Sequence, residues 1–110
     1  MPYDADLANL IRELIGDEAN LTEQAMFGGL AFLIGGHITV AASHEGGVLV
    51  SVDHTDTHAL LAKPHTRPMV MRGRELSGWL RVDPEGVRMK RQLTPWVKRG
   101  VDHARALPPN

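Results

Sequence analysis

The most specific chemistry the chain offers is a pair of histidines. His54 and His58 stand four residues apart in His54-Thr55-Asp56-Thr57-His58. On a helix that spacing puts both imidazoles on one face, where they could hold a divalent metal. A zinc site needs a third ligand, which His44 or His65 would supply only by folding back. No Glu follows His54, so the metalloprotease pattern H-E-x-x-H is missing. The plainer reading is the solvated face of a short helix, and no cofactor is expected.

Other catalytic arrangements find less support. The absence of cysteine excludes a thiol nucleophile, a thiolate metal site and a disulfide framework. Ser43, Ser51 and Ser77 fall on expected strands or their ends, and none sits in a G-x-S-x-G elbow. The early carboxylates lie on one helix face and the loop after it, with nothing to drive a pair of pKa values apart. Gly28-Gly29, Gly35-Gly36 and Gly46-Gly47 match neither phosphate-binding pattern and fall between strands, so they read as turns. No catalytic residue and no enzymatic activity are expected.

Charge is the remaining chemical feature. Residues 1–62 hold one basic residue, Arg12, against nine acidic ones, a net −8. Residues 63–110 hold eleven basic and four acidic ones, a net +7. Arg67, Arg81, Arg88, Lys90, Arg91, Lys98 and Arg99, with Arg72 and Arg74 among them, could line a stripe facing phosphates. Against nucleic-acid binding stand the interleaved Glu75, Asp83, Glu85 and Asp102, a pI of about 6.6 and an aromatic content of 5%. Two other uses of the asymmetry are neutralisation across one compact fold and pairing between two copies in a homodimer.

The elements that must position these residues follow from periodicity. Asp4 caps a helix over residues 5–15, with Leu7, Leu10, Ile11 and Leu14 on one face and Gly16 at its end. Strands are expected at 26–34, 37–43 and 48–53, joined at Gly35-Gly36 and Gly46-Gly47, with Leu21 to Ala25 a further possible strand start. A short helix over 54–62 follows Asp53 and stops at Pro64. Strands at 69–72 and 76–82 flank Gly73. A final helix over 95–107 begins with Thr94 as cap and Pro95 as first residue. The order α-β-β-β-α-β-β-α implies an α+β fold of two layers, an antiparallel sheet with helices on one face. Its hairpin connections argue against a doubly wound nucleotide-binding fold.

With 110 residues, the chain is expected to form one domain, 1–110. The longest apolar run, Leu30 to Ile34, is far short of the ~20 residues needed to cross a bilayer. The start shows no secretory pattern. No membrane association and a cytoplasmic location are expected.

Met26-Phe27-Gly28-Gly29 ahead of an apolar strand, with Gly78-Trp79, Pro95-Trp96-Val97 and Ala104-Arg105-Ala106-Leu107-Pro108, resembles the N-terminal domain of the TfoX/Sxy competence regulators. The resemblance runs from about Thr22 to Pro108. It implies a two-layer, secretion-chaperone-like α+β fold, a regulatory role through a protein partner, and no catalytic residues. Full regulators of the family carry a second, helical domain, so this chain resembles a stand-alone first domain. Within the motif, Phe27 is expected in the core, with Gly28-Gly29 permitting a bulge or a close strand approach. The alternative places Met26 and Phe27 at an exposed edge, receiving a partner together with Arg72 and Arg74.

Overall fold

The carboxylate of Asp4 accepts hydrogen bonds from the amides of Asp6 and Leu7, at 3.0 and 3.2 Å. This cap starts α1 (Ala5–Ile15), which buries Leu7, Ala8, Ile11 and Ile15. The structure is a computed structural model that describes residues 3–108. After α1 come β1 (Leu21–Met26), β2 (Gly29–Ile34), β3 (His37–Ala42) and β4 (Val48–Ser51). A 3₁₀ turn (His54–Asp56) and the single-turn α2 (Thr57–Leu60) lead to β5 (Thr66–Met71) and β6 (Arg74–Val82), and α3 (Lys90–Ala106) closes the order. All neighbours in the sheet are antiparallel, in the order β1-β2-β3-β4-β6-β5. The two-layer α+β architecture is the one expected.

Four local expectations need correction. The sheet has six strands because the stretch 26–34 is broken at Phe27-Gly28, where φ is +53° and +75°, and Leu21–Met26 forms its own strand. The helix expected over 54–62 is only a 3₁₀ turn and one α-turn, since Asp53 caps at Thr55 and the chain must return to the sheet. The last hairpin is longer than expected, with Thr66 paired to Val82 at its base. The final helix starts at Lys90, five residues before Pro95. Gln92 Oε1 accepts from the Met89 amide at 2.9 Å, so a residue with no capping propensity opens the helix. The Thr94 hydroxyl instead donates back to the Lys90 carbonyl at 2.7 Å.

The main core lies between the sheet and the helices. Phe32, Val40, Val50, Leu80 and Val82 meet Ile11 and Ile15 of α1 and Leu93, Trp96 and Val97 of α3. α3 lies across β3 and β4. Its contact is set by Gly100, where an added Cβ would stand 2.5 Å from the Thr39 carbonyl oxygen. That point of β3 is irregular, because the β2–β3 register shifts between Phe32 and Leu33. The fully buried Thr39 hydroxyl donates to the Phe32 carbonyl at 2.7 Å, satisfying a group in the disturbed ladder.

The face away from the helices has its own smaller core of Ala31, Leu33, Ala41, Leu49 and Met69, bordered by Met26, Ile38, Leu76 and Trp79. No helix covers these residues, yet all five are buried. The sheet hides them by curling. Three strand spacings separate β2 from β6, about 14 Å in a flat sheet. Phe27, in the turn before β2, nevertheless reaches Trp79 of β6 with 6.5 Å between ring centroids. Met69 of β5 likewise folds inward onto the central strands.

Candidate functional site

The Met26-Phe27-Gly28-Gly29 motif is a complete hairpin corner. Met26 pairs with Gly29, leaving Phe27 and Gly28 as a two-residue loop with positive φ at both positions, the type I′ geometry. Gly29 is fixed by a close approach, since a Cβ there would stand 2.0 Å from the Ala42 carbonyl oxygen. The close strand approach expected of this glycine pair therefore exists, at Gly29.

Phe27 is not a core residue. It is 44% exposed, and its ring meets Trp79 edge-on, with an interplanar angle of 73°. The core position expected for it is not taken, because the left-handed turn conformation turns this side chain out of the sheet. Met26 and Trp79 are half-buried beside it at the rim of the smaller core. Further apolar exposure comes from Val70 and Met71 on β5.

Arg72 and Arg74, the other candidate partner-binding residues, stand apart from this corner. Arg72 and Gly73 form the β5–β6 turn, with φ +53° and +77°. Arg74 begins β6 beside that turn, and the bulged stretch of β6 between Glu75 and Leu80 lies between it and Trp79. The structure thus joins Met26 and Phe27 to Trp79 and places both arginines at the far tip of the same hairpin. Trp79 was visible in the sequence only as half of Gly78-Trp79; its role beside Phe27 depends on the curl of the sheet.

The basic residues do not form one stripe. Arg67 pairs with Asp83 at 2.6 Å, and Lys98 with Asp102 at 2.8 Å. Arg81 pairs with Glu45 at 3.1 Å and donates to the Ser43 hydroxyl. Arg99 lies over the Trp96 ring, 4.6 Å from its centroid. Arg81–Glu45 and the 2.8 Å pair Arg105–Glu18 join the acidic and basic halves within one chain. Arg88, Lys90 and Arg91 gather at the start of α3 and, with Arg72 and Arg74, make no ion pair among the described residues.

His54 and His58 border a shared cleft with Glu75 and Ser77, although they sit on different short turns and not on one helix. Among the described residues, no three His, Asp or Glu side chains come together as a set that could hold a metal. A larger cleft, about 480 Å³, lies between α2 and the end of α3, with Asp53, Asp56, Arg99 and His103 at its rim. Asp53 is occupied locally: the Thr55 amide and hydroxyl donate to it at 2.9 and 2.8 Å, holding its carboxyl below the usual range. No spacing in the sequence links residues 53 and 103, so this cleft was not legible there. Among the described residues, no helix is long and apolar enough to cross a membrane.

Comparison with curated proteins finds no match, and comparison with solved structures finds none either. A family profile does match: the TfoX N-terminal domain, over residues 13–104. That span contains all six strands, the four hairpin turns and most of α3, and the chain belongs to the TfoX N-terminal domain family.

Proposed function

We propose that this domain is a non-enzymatic module that binds a regulatory protein through the Phe27–Trp79 corner. The observation that carries the reading is the conformation of Phe27. A non-glycine residue in the left-handed region costs roughly 1–2 kcal/mol, and Asn serves such a turn better. Here that position holds a phenyl ring, 44% exposed and oriented by Trp79. The turn itself does not require a ring, whereas recognition of an apolar side chain does. Arg72 and Arg74 extend the surface. A partner segment lying along the hairpin would place apolar residues at Phe27 and carboxylates at the hairpin tip.

The test is a pull-down from host extract with nuclease added, comparing the unaltered chain with Phe27→Asn. Asn keeps the turn and removes the ring. A stoichiometric protein held by the unaltered chain and lost by Phe27→Asn supports the reading; equal capture by both refutes it.

A second reading, contact with nucleic acid, rests on Arg88, Lys90 and Arg91 at the positive end of α3. Affinity for DNA that falls steeply with salt, and falls further in a triple alanine variant, would support it. No binding at ~50 mM salt would end it.

A further inference from the structure

An open sheet presents two edges, and in this fold they differ. On β5, the Asp83 amide donates to the His65 carbonyl at 2.8 Å. That bond phases the ladder, so Arg67 bonds toward β6 while Thr66 and Pro68 turn their backbone groups outward. Pro68 therefore occupies an outward position with no N–H to offer, and the register shifts immediately after it. A strand approaching β5 meets a missing donor beside a break in the β5–β6 register.

β1 has neither device. The Gly35 amide donates to the Asn20 carbonyl at 3.2 Å, and the two-residue loop at Phe27-Gly28 closes the other end of the ladder. Both fix the same phase. Thr22, Gln24 and Met26 bond to β2, and Leu21, Glu23 and Ala25 direct N–H and C=O groups away from the sheet. The strand holds no proline and no bulge, and Thr22 through Ala25 are exposed. Its one charge, Glu23, is already held by Arg12 at 2.7 Å.

We propose that β1 pairs antiparallel with β1 of a second copy, about a twofold axis at Gln24, to make one continuous twelve-stranded sheet. Residues with outward groups must oppose one another, and three symmetric registers align more than one such pair. An axis at Glu23 sets the two Glu23 carboxylates directly opposite, which is repulsive. An axis at Thr22 requires Asn20 to extend the strand, but Asn20 has φ of +62° and leaves it. An axis at Gln24 sets Glu23 opposite Ala25 of the second copy and the two Gln24 amides opposite each other, where they hydrogen-bond reciprocally. This register uses the strand from Thr22 to Met26. The proposal does not depend on the Phe27–Trp79 reading, because it uses backbone groups of β1 and not the ring.

The experiment is sedimentation velocity on the full chain from about 1 µM to about 1 mM, the range in which small interfaces associate. The expected result is a monomer passing to a dimer. Ala25→Pro removes an outward N–H while sparing the bonds to β2, copying what Pro68 does on β5. It should weaken association at least tenfold with an unchanged circular dichroism spectrum. Gln24→Lys, a solvent-facing change that sets two like charges across the axis, should weaken it too, with recovery at high salt. The Lys variant keeps the test decisive if the proline variant does not fold. A monomer throughout the series overturns the proposal, as does a dimer indifferent to the substitutions that fold.

Discussion

Phe27 and Trp79 lie 52 positions apart in the chain, yet their rings meet edge-on at 6.5 Å across the mouth of the curled sheet. The contact ties the β1–β2 corner to β6 and makes the smaller core a closed compartment without help from a helix. It also separates two contributions of Phe27, a backbone cost and a ring contact.

Phe27→Asn relieves about 1–2 kcal/mol of left-handed strain and forfeits a ring pair worth about 0.5–1.5 kcal/mol. The two oppose each other, so stability should change by less than about 2 kcal/mol in either direction. Urea denaturation measures this directly. A loss above about 3 kcal/mol would show that the ring is a core element after all, as in large-to-small core substitutions.

Gly100→Ala should destabilise, against the ordinary trend. In an exposed helix interior the change gains up to about 1 kcal/mol. Here the new Cβ would stand 2.5 Å from the Thr39 carbonyl oxygen and 3.2 Å from Val40. Forcing α3 off β3 should cost about 1–3 kcal/mol net. A melting temperature at or above that of the unaltered chain would contradict the close approach.

Thr39→Val probes the same contact from the other side. The side chains are nearly equal in shape, so packing is kept while the 2.7 Å bond to the Phe32 carbonyl is lost. Losing this buried hydrogen bond should cost about 0.5–1.5 kcal/mol. Equal stability of the two chains in denaturant titration would mean that another donor serves the carbonyl.

Acid should weaken the fold in part through Glu23. The Arg12 guanidinium, bonded to both carboxylate oxygens at 2.7 Å, lowers the Glu23 pKa, with the Arg12 hydrogen bond the main cause. A carboxyl lowered in the folded state contributes stability above its unfolded pKa, roughly 4.3, and loses it as pH falls through the folded value. Glu23→Gln should therefore lower stability at neutral pH, by an amount typical of a partly exposed pair, under about 1 kcal/mol. The difference should vanish once the pH falls below the folded value. A constant offset at all pH values would assign the effect to packing.

What was legible in the sequence depended on how strongly each element repeats. α1 was plain, because Asp4 and the Leu7-Leu10-Ile11-Leu14 spacing are each sufficient signals, although the structure buries Ala8 and Ile15 and leaves Leu10 and Leu14 only partly buried. β2, β3 and β4 were equally plain from their apolar content. β1 was seen only as a possible strand start: four of its six positions are exposed, so no buried face imprints a pattern. Phe27-Gly28 hid its turn because Phe is not a residue that favours positive φ. Thr94-Pro95 imitated a helix start convincingly, while Met89, the true first cap, has no capping chemistry of its own. The candidate site was half legible. Met26 and Phe27 could be named from the motif, but nothing local says that β6 bends back to meet them.

Pro68 has a consequence at the scale of assembly. In the language of polymerisation, a monomer with two reactive ends grows without limit, and a monomer with one reactive end stops at two. With β1 as the pairing edge proposed above, the missing N–H on β5 would make this fold monofunctional. The strand pairing proposed for β1 would then terminate itself, so that a chain with a bare edge would not feed a fibre at high concentration.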